Sequence, residues 1–367
     1  MNKRPELIDK LNISTKKLDS IKTQTEYKIK YVTGYVEQWL YVAANSSRKN
    51  IVFIDSMANA GIYKNGILGT SPEVLLKFIG FAEKHQDKNF FLFVNEIDKD
   101  RLSEHEKIVS YFLSNCNLSN ISIDYSNQDV NSYLENYQKF DPFLYSKDSF
   151  CILFIDPYNF HTVEIFKIQE FVKRYYCEVL FNVFTSDKIR NEDSADIQKC
   201  LGSIKITDKN TIITEMAKNL RVGNIKYIFS YPFRISTNIE LYQILYLTPN
   251  IRGLEKLKDV IWDVFDGARY YRTYNNSIDQ LSLFDKNQIQ DNSAQQFAID
   301  AQELLLTNFS GRELHFNQIQ NYIIEETLLK PSHVINKVIK PLIKSEKIIK
   351  KNYTKKQNYK DDWYSVK

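Results

Sequence analysis

A carboxylate, a proline and an aromatic ring, Asp156-Pro157-Tyr158 with Asn159 behind them, close the apolar run 151–155. Residues of these types suit one kind of chemistry. An amino nitrogen attacks an electrophilic methyl group when acceptors on its hydrogens aim its lone pair. The Asp156 carboxylate and a carbonyl at or before Pro157 supply the acceptors, and the Tyr158 ring offers a flat apolar face to a planar target. Stacking a base on such a ring is worth roughly 1–3 kcal/mol in single-strand binders. A base inside a duplex has to be flipped out to reach it. The same residues also suit a plain strand-ending turn, in which proline stops the ladder and aspartate caps the next helix.

A second constellation lies earlier. The run 51–54 ends on Asp55 and passes into the small-residue turn Ser56-Met57-Ala58-Asn59-Ala60-Gly61. Thr70-Ser71-Pro72-Glu73 then reads as a helix start, with a hydroxyl at the N-cap and an acid near the positive end of the dipole. Strand, turn and helix in that order form the ligand-binding end of an open α/β sheet, or an ordinary connection. Glu96, after a second strand, is placed to accept from both ribose hydroxyls or to serve as a surface acid or cap. Asp129, after a third, is placed to accept from an adenine amino group or to open a helix. Asp55 would orient a cofactor's amino-acid moiety or brace the turn. The candidate cofactor set is Asp55, Ser56, Met57, Ala58, Asn59, Gly61, Glu96 and Asp129; the candidate catalytic set is Asp156, Pro157 and Tyr158.

These residues need a sheet to hold them. Apolar runs at 51–54, 90–94, 121–125, 151–155 and 178–184 are of the kind buried on both faces in parallel sheets. Residues 26–44 repeat Tyr27, Tyr31, Tyr35, Trp39, Tyr41 and Val42 at helical spacing, and 72–83 and 101–113 also read as helices. Runs 227–231 and 241–247 are joined too closely for a crossover helix, so they pair antiparallel. The expectation is an α/β, Rossmann-like, methyltransferase-type sheet of five parallel strands plus an antiparallel hairpin. GxGxxG, the mark of dinucleotide dehydrogenases, is missing.

Length allows one large domain and a small one in 367 residues. A net charge of +4 decides nothing about partners. No apolar run approaches the ~20 residues of a membrane span, and residues 1–12 have no signal-peptide core. Cys116, Cys151, Cys177 and Cys200 lie far apart without CxxC spacing. They read as reduced thiols, with no metal site and no disulfide. A cytoplasmic protein, apart from any membrane, is expected.

Taken together, the pieces resemble the three-Cys-motif partner family (TcmP), whose members carry a methyltransferase-like domain and are often encoded beside a phage-type three-cysteine protein. The likeness runs through residues 26–265. Lys28, Tyr35 and Trp39 fit the family's first helix, and residues 55–63 (DSMANAGIY) fit a pattern close to D-x-F-A-G-P-G-x-Y. Gly69-Thr70-Ser71-Pro72 fits G-S-P, Asp156-Pro157-Tyr158 fits D-P-F/Y-G, and residues 178–182 fit a strand ending in Asn. Gly253-Leu254, Lys258 and Trp262 fit G-L-x-x-M-K-x-x-M-W. The resemblance implies the fold and brings no established reaction. Asn59 and Ala60 replace Gly and Pro, and Asn159 replaces Gly; Asn tolerates a left-handed backbone, so both turns can survive.

Residues 1–25 read as a lysine-rich arm, loosely attached or a short helix, 26–271 as the methyltransferase-like domain, and 272–296 as a polar linker. Within the linker, Gln280-Leu281-Ser282-Leu283-Phe284 is similar to the peptide that docks on the bacterial sliding clamp; folding back onto its own domain is the plainer use. Residues 297–367 read as a winged helix, with helices at 297–306, 316–326 and 331–344 and wing strands at 348–349 and 363–366. From Lys330 onward the local net charge is +8, twice that of the whole chain. Such a face is the footprint of phosphate contacts, assigned to Lys337, Lys340, Lys344, Lys350, Lys351, Lys355 and Lys356. The expected activity is S-adenosylmethionine-dependent methylation of an amino group in nucleic acid, DNA above all. The alternative is a nucleic-acid-binding partner or sensor without a reaction, in phage defence.

Overall fold

The apolar runs form the strands β1 (Asn50–Asp55), β2 (Asn89–Asn95), β3 (Ile121–Ser126), β4 (Ser149–Ile155) and β5 (Glu178–Phe184), paired in parallel. Two longer strands follow, β6 (Tyr227–Ser236) and β7 (Ile239–Thr248), and the two-residue β8 (Tyr270–Tyr271). The computed structural model describes residues 3–146, 148–184, 199–202, 212–236, 239–267, 270–271, 286–351 and 362–367. The strand order is β3-β2-β1-β4-β5-β7-β6-β8. β7 runs antiparallel to both β5 and β6. The hairpin is therefore as expected in pairing, but it enters the sheet by its second strand. β6 lies outside β7 and points the same way as the first five. This is an α/β, Rossmann-like sheet of the methyltransferase type.

The central strands are buried on both faces, which is why they read as unbroken apolar runs and not as alternations. Val52, Phe53, Ile54, Leu153 and Ile155 are all fully covered. One covering helix, α2 (Thr23–Ala44), follows a short α1 (Glu6–Lys10) and buries Tyr31, Tyr35, Trp39 and Leu40. Of the two readings of the N-terminal segment, residues 3–22 follow the short helix and are not loose: Leu7, Ile8, Ile13 and Leu18 are buried. Four apolar side chains at irregular spacing within a polar segment give no periodic signal, so sequence pattern alone could not find them.

At the amino end of β5, Glu178 is buried against α2. It accepts hydrogen bonds from the Tyr35 hydroxyl and, at 3.0 Å, from Thr248; the Tyr35 and Tyr246 hydroxyls share a further bond at 2.5 Å. Burial pushes this carboxyl up to about 7, against the opposing pull of those donors.

After the β1 turn comes α3 (Thr70–Ala82), and after β2 comes α4 (Lys99–Ser114). Contrary to expectation, Thr70 is not the N-cap of α3. Gly69 holds that position without a side-chain bond, and Pro72 sits in the first turn. Short helices α5 (Val130–Leu134) and α6 (Tyr137–Leu144) precede β4; α7 (Ile165–Arg174) and α8 (Ile212–Leu220) flank β5 in the chain.

The chain divides into two units, Met1–Asn250 with Tyr271–Thr273, and Ile251–Tyr270 with Tyr274–Lys367. Helix α9 (Ile251–Phe265), expected in the sheet domain, thus belongs to the second unit. The reason lies in its buried polar atoms. Lys258 Nζ donates to the Thr327 carbonyl at 2.6 Å, and Trp262 Nε1 to the Leu328 carbonyl at 2.7 Å. The residues at the end of the family-like motif therefore clasp a turn of the winged helix.

That winged helix comprises α10 (Lys286–Phe309), β9 (Glu313–His315), α11 (Phe316–Glu326), a third helix α12, and wing strands β10 (Ile348–Lys351) and β11 (Trp363–Val366). The expected linker is shorter than 272–296, since α10 already begins at Lys286. His315 caps α11, with Gln318 returning a bond to its backbone. The helix α12 starts as an α turn (Pro331–His333), widens to π geometry (Val334–Ile339) and closes as α (Lys340–Lys344). Pro341 lacks the N–H that a regular ladder requires, and the wide stretch before it absorbs the missing bond without ending the helix. The three strands pair antiparallel in the order β10-β11-β9 over a core that includes Phe316, Ile319, Val338, Leu342 and Tyr364.

Candidate functional site

The carboxyl ends of β1 and β4 border a cavity of about 580 Å³, within the range of small-molecule sites. Of the expected residues, Asp55, Met57, Ala58, Asn59 and Gly61 line it from the β1 turn, and Asp156, Pro157 and Tyr158 from the end of β4. Ser56 does not; it is fully buried, and its hydroxyl donates to the Phe154 carbonyl at 2.9 Å.

The β1 turn is built around Asn59, which holds a left-handed φ of 59°. Its side chain accepts from the Ala60 N–H at 2.7 Å and donates to Asp19 at 2.9 Å. Two residues on, Gly61 has a φ of 75°, and a Cβ there would meet the His105 ring at 2.8 Å. The first glycine of the family-like pattern is replaceable because Asn supplies its own hydrogen bonds; the second is not.

Glu96 and Asp129 do not line the cavity. One Glu96 oxygen accepts the Asn59 N–H at 2.8 Å and the other the Asp98 N–H at 2.9 Å, leaving the residue only 3% exposed. It holds the β1 turn from below. Asp129 is the N-cap of α5, accepting from Asn131 N–H at 2.9 Å and Ser132 N–H at 3.3 Å. In both cases backbone donors take the carboxylate.

Asp156 has charged company. Lys28 Nζ, from α2, lies 2.6 and 2.5 Å from its two oxygens, and Asn182 from β5 donates at 2.7 Å. A carboxylate offers about four lone-pair sites; three are spoken for, and one is left for a ligand donor. Beside it, Tyr158 is 55% exposed and its hydroxyl accepts from Arg101 at 2.5 Å. Arg101 reaches on to Asp19 at 3.2 Å. Lys28, Asp19, Arg101 and Asn182 carry no site role in the sequence reading. Lys28 had one detectable signal: it shares a helix face with Tyr35 and Trp39, and a lysine on a buried face is unusual unless paired.

Asp55 is the contrasting acid. It is 1% exposed, and among the described residues no cation pairs with it. Burial pushes its carboxyl up to about 7; bonds from Ser71 and the Met57 N–H pull the other way, and the charges of Asp156 and Glu96 add to the rise. Ser71 is in turn 2.8 Å from His105 Nε2. His105 is fully buried, which lowers it to about 3 and keeps it neutral. When Asp55 is ionised, Ser71 gives it its one proton and His105 donates from Nε2; when Asp55 is protonated it can donate to Ser71, which then donates to His105 Nε2 and leaves the ring proton on Nδ1. That Nδ1 has no partner among the described residues.

In the second unit the expected lysines divide. Lys337 pairs with Asp291 at 3.1 Å, Lys350 with Asp362 at 2.5 Å, and Lys351 with Glu313. Lys340 and Lys344 are exposed, Lys340 donating to Asn336 at 2.9 Å. Lys355, Lys356 and the Gln280–Phe284 segment lie outside the described residues.

Residues 271–354 match a family model described as a GMT-like wHTH domain. A winged helix closes this chain. No curated protein matches it. Among solved structures, a spermidine synthase in complex with the transition-state analogue AdoDATO is 14% identical over 69% of this chain and 70% of its own, with a TM-score of 0.36. A Listeria monocytogenes protein described as a class I S-adenosylmethionine-dependent methyltransferase is 15% identical over 59% of this chain, with a TM-score of 0.32. The chain spans 58% of that protein's length. The plantazolicin methyltransferase BpumL, in complex with SAH, is 9% identical over 61% of this chain and 85% of its own, with a TM-score of 0.28. Likeness at this level adds no argument to the strand order, on which the fold rests. No helix among the described residues is long and apolar enough to cross a membrane, and no group of His, Cys, Asp or Glu among them could hold a metal ion.

Proposed function

We propose that this chain is an S-adenosylmethionine-dependent, methyltransferase-like protein acting on an amino group of nucleic acid, with the winged helix holding DNA. One observation carries the reading: Asp156-Pro157-Tyr158 stands in the wall of a ligand-sized cavity that the Asp55–Gly61 turn also lines. The residues fit the amino-acid end of S-adenosylmethionine, where Asp55 offers a carboxyl without an ion-pair partner among the described residues. The expected ribose and adenine contacts do not fit in the same way, since backbone donors hold Glu96 and Asp129. When bound, the cofactor supplies an electrophilic methyl group. Asp156 orients a donor through its remaining lone pair, Tyr158 presents its ring, and Asn182 and Lys28 hold the carboxylate in place.

Titration calorimetry with S-adenosylmethionine and transfer of labelled methyl to DNA test the reading together. Saturable heat and transfer are expected, and Asp156→Ala should abolish transfer while leaving cofactor affinity near wild type. A folded protein that gives no heat at millimolar ligand ends it.

The Lys28–Asp156 pair favours a second reading, because that ammonium already sits where a substrate amino group would donate. On this reading the protein is a nucleic-acid-binding partner or sensor without a reaction, in the cytoplasm and in the phage-defence setting of the TcmP resemblance. Cofactor binding without transfer to any DNA supports it.

A further inference from the structure

An amino group carries two hydrogens, and both need acceptors if its lone pair is to be aimed. Once Lys28 and Asn182 are counted, Asp156 has one lone-pair site left and can hold only one of them. Another acceptor stands in the same cavity wall. Gln24, in the first turn of α2, lines it one helical turn before Lys28. Residues four apart share a helix face, with about 5–6 Å between their Cβ atoms, so the Gln24 amide neighbours the Lys28–Asp156 pair. From β7, the Tyr242 hydroxyl donates to the Gln24 backbone carbonyl at 3.0 Å and fixes its place. The residue is only 7% exposed, and its Oε1 is buried without a hydrogen-bond partner among the described residues.

The cations nearby do not answer that oxygen. Lys28 is committed to Asp156, and Lys22, which also lines the cavity, is exposed at the N-cap position of α2. A buried amide oxygen left unmet is costly, and this one adjoins a space walled by the rings of Tyr158, Phe184 and Tyr242. Its bonds place it on the β4 and β7 side of the cavity, with Asp156, and apart from Glu96 and Asp129. We infer that Gln24 is the second acceptor for the substrate's amino group: Oε1 takes the hydrogen that Asp156 leaves, and Nε2 beside it donates to the adjoining ring nitrogen. An amide pairs in this bidentate way with the amino and ring-nitrogen edge of adenine, and cytosine presents a similar edge. The substrate class is therefore a nucleobase whose amino group adjoins an unprotonated ring nitrogen. This deepens the proposed function and rests on it. Gln24 acts through hydrogen bonds alone. On methylation the nitrogen lone pair forms the N–C bond, the C–S pair stays on sulfur, and the displaced proton leaves by way of Asp156.

Side-chain amide NMR of the full chain, isotope-labelled in glutamine and without cofactor, reads the contact itself. The signal missing from Gln24→Leu assigns the residue. Of single strands carrying one adenine or one cytosine among thymines, at least one should shift it, and the same strand with an abasic site there should not. Transfer of labelled methyl to that base should then fall roughly 5- to 150-fold in Gln24→Leu, while calorimetry shows cofactor affinity near wild type. Replacing the adjoining ring nitrogen of the base by C–H should lower wild-type transfer and cost Gln24→Leu nothing more, which a merely structural role would not produce. Should Gln24→Leu not fold, the same base analogue on the wild-type protein still reads the contact, and unchanged transfer there counts against it. A Gln24 signal unmoved by either strand, or transfer unchanged in Gln24→Leu, overturns the inference and spares the proposed function; the second outcome gives the hydrogen to the carbonyl at Pro157. No heat with S-adenosylmethionine sinks both.

Discussion

Two acids in one sheet make an instructive pair. Glu178 opens β5 and Asp55 closes β1; burial pushes each to about 7. At Glu178 the protein supplies matching donors, two tyrosines and a threonine, in a core position away from the cavity lining. At Asp55 it supplies two neutral donors and an adjoining cavity. A displaced pKa is therefore no sign of function by itself. What separates the structural acid from the poised one is whether the protein has already answered it.

The largest expected effect tests that separation directly. Glu178→Gln turns a donor toward donors and should cost about 1–3 kcal/mol of stability, whereas Asp55→Asn should cost less than about 1 kcal/mol. Urea unfolding ranks the two, and the reverse order would break the comparison. The pH dependence of stability sharpens it. Both acids have raised pKa values when folded, so their contribution is full below the ordinary values of 3.8 and 4.5 and is lost as pH rises through about 7. His105 has the opposite sign: its lowered pKa gives stability that is present above 6.5 and lost as pH falls toward about 3. Each group contributes at most about 1.4 kcal/mol per pH unit. Urea midpoints should show the neutral-side decline reduced in Glu178→Gln and the acid-side decline reduced in His105→Asn; unchanged slopes would remove those groups from the account.

The smallest effect carries the distinction into the winged helix. Lys344 and Lys347 are exposed, while Lys350 and Lys351 are paired with acids. Neutralising the first two with Gln should lower the salt slope of DNA binding by up to about 1.8, at about 0.9 per phosphate contact. Neutralising the second two should change it less, as read by fluorescence anisotropy over a salt series. Equal changes would erase the difference.

How far the sequence could be read follows from the same physics. The strands were legible because burial on both faces leaves an apolar run, and β5 came out with its bounds intact. The rim acids were legible as types and positions. Their partners were not, since Lys28 meets Asp156 across 128 residues and Asn59 meets Glu96 across 37. Pattern reading registers what a residue is and where it falls along an element; it does not register which distant donor arrives first. A net charge of +8 likewise does not say which lysine meets which acid: Lys350 meets Asp362 inside the counted stretch, while Lys337 meets Asp291 and Lys351 meets Glu313 outside it. The allegiance of α9 was hidden too, as its amphipathic face suits either unit, and only the bonds of Lys258 and Trp262 decide.

The placement of β7 has a consequence for how the chain is made. β5 is complete at Phe184, yet its outer neighbour begins at Ile239, and β6, which emerges from the ribosome sooner, has its place beyond β7. Until β7 has been synthesised, one flank of β5 stands with its amide and carbonyl groups unmatched, which is the usual point of entry for a stray strand from another chain. Nascent chains halted between those two strands should therefore be the ones most dependent on a chaperone.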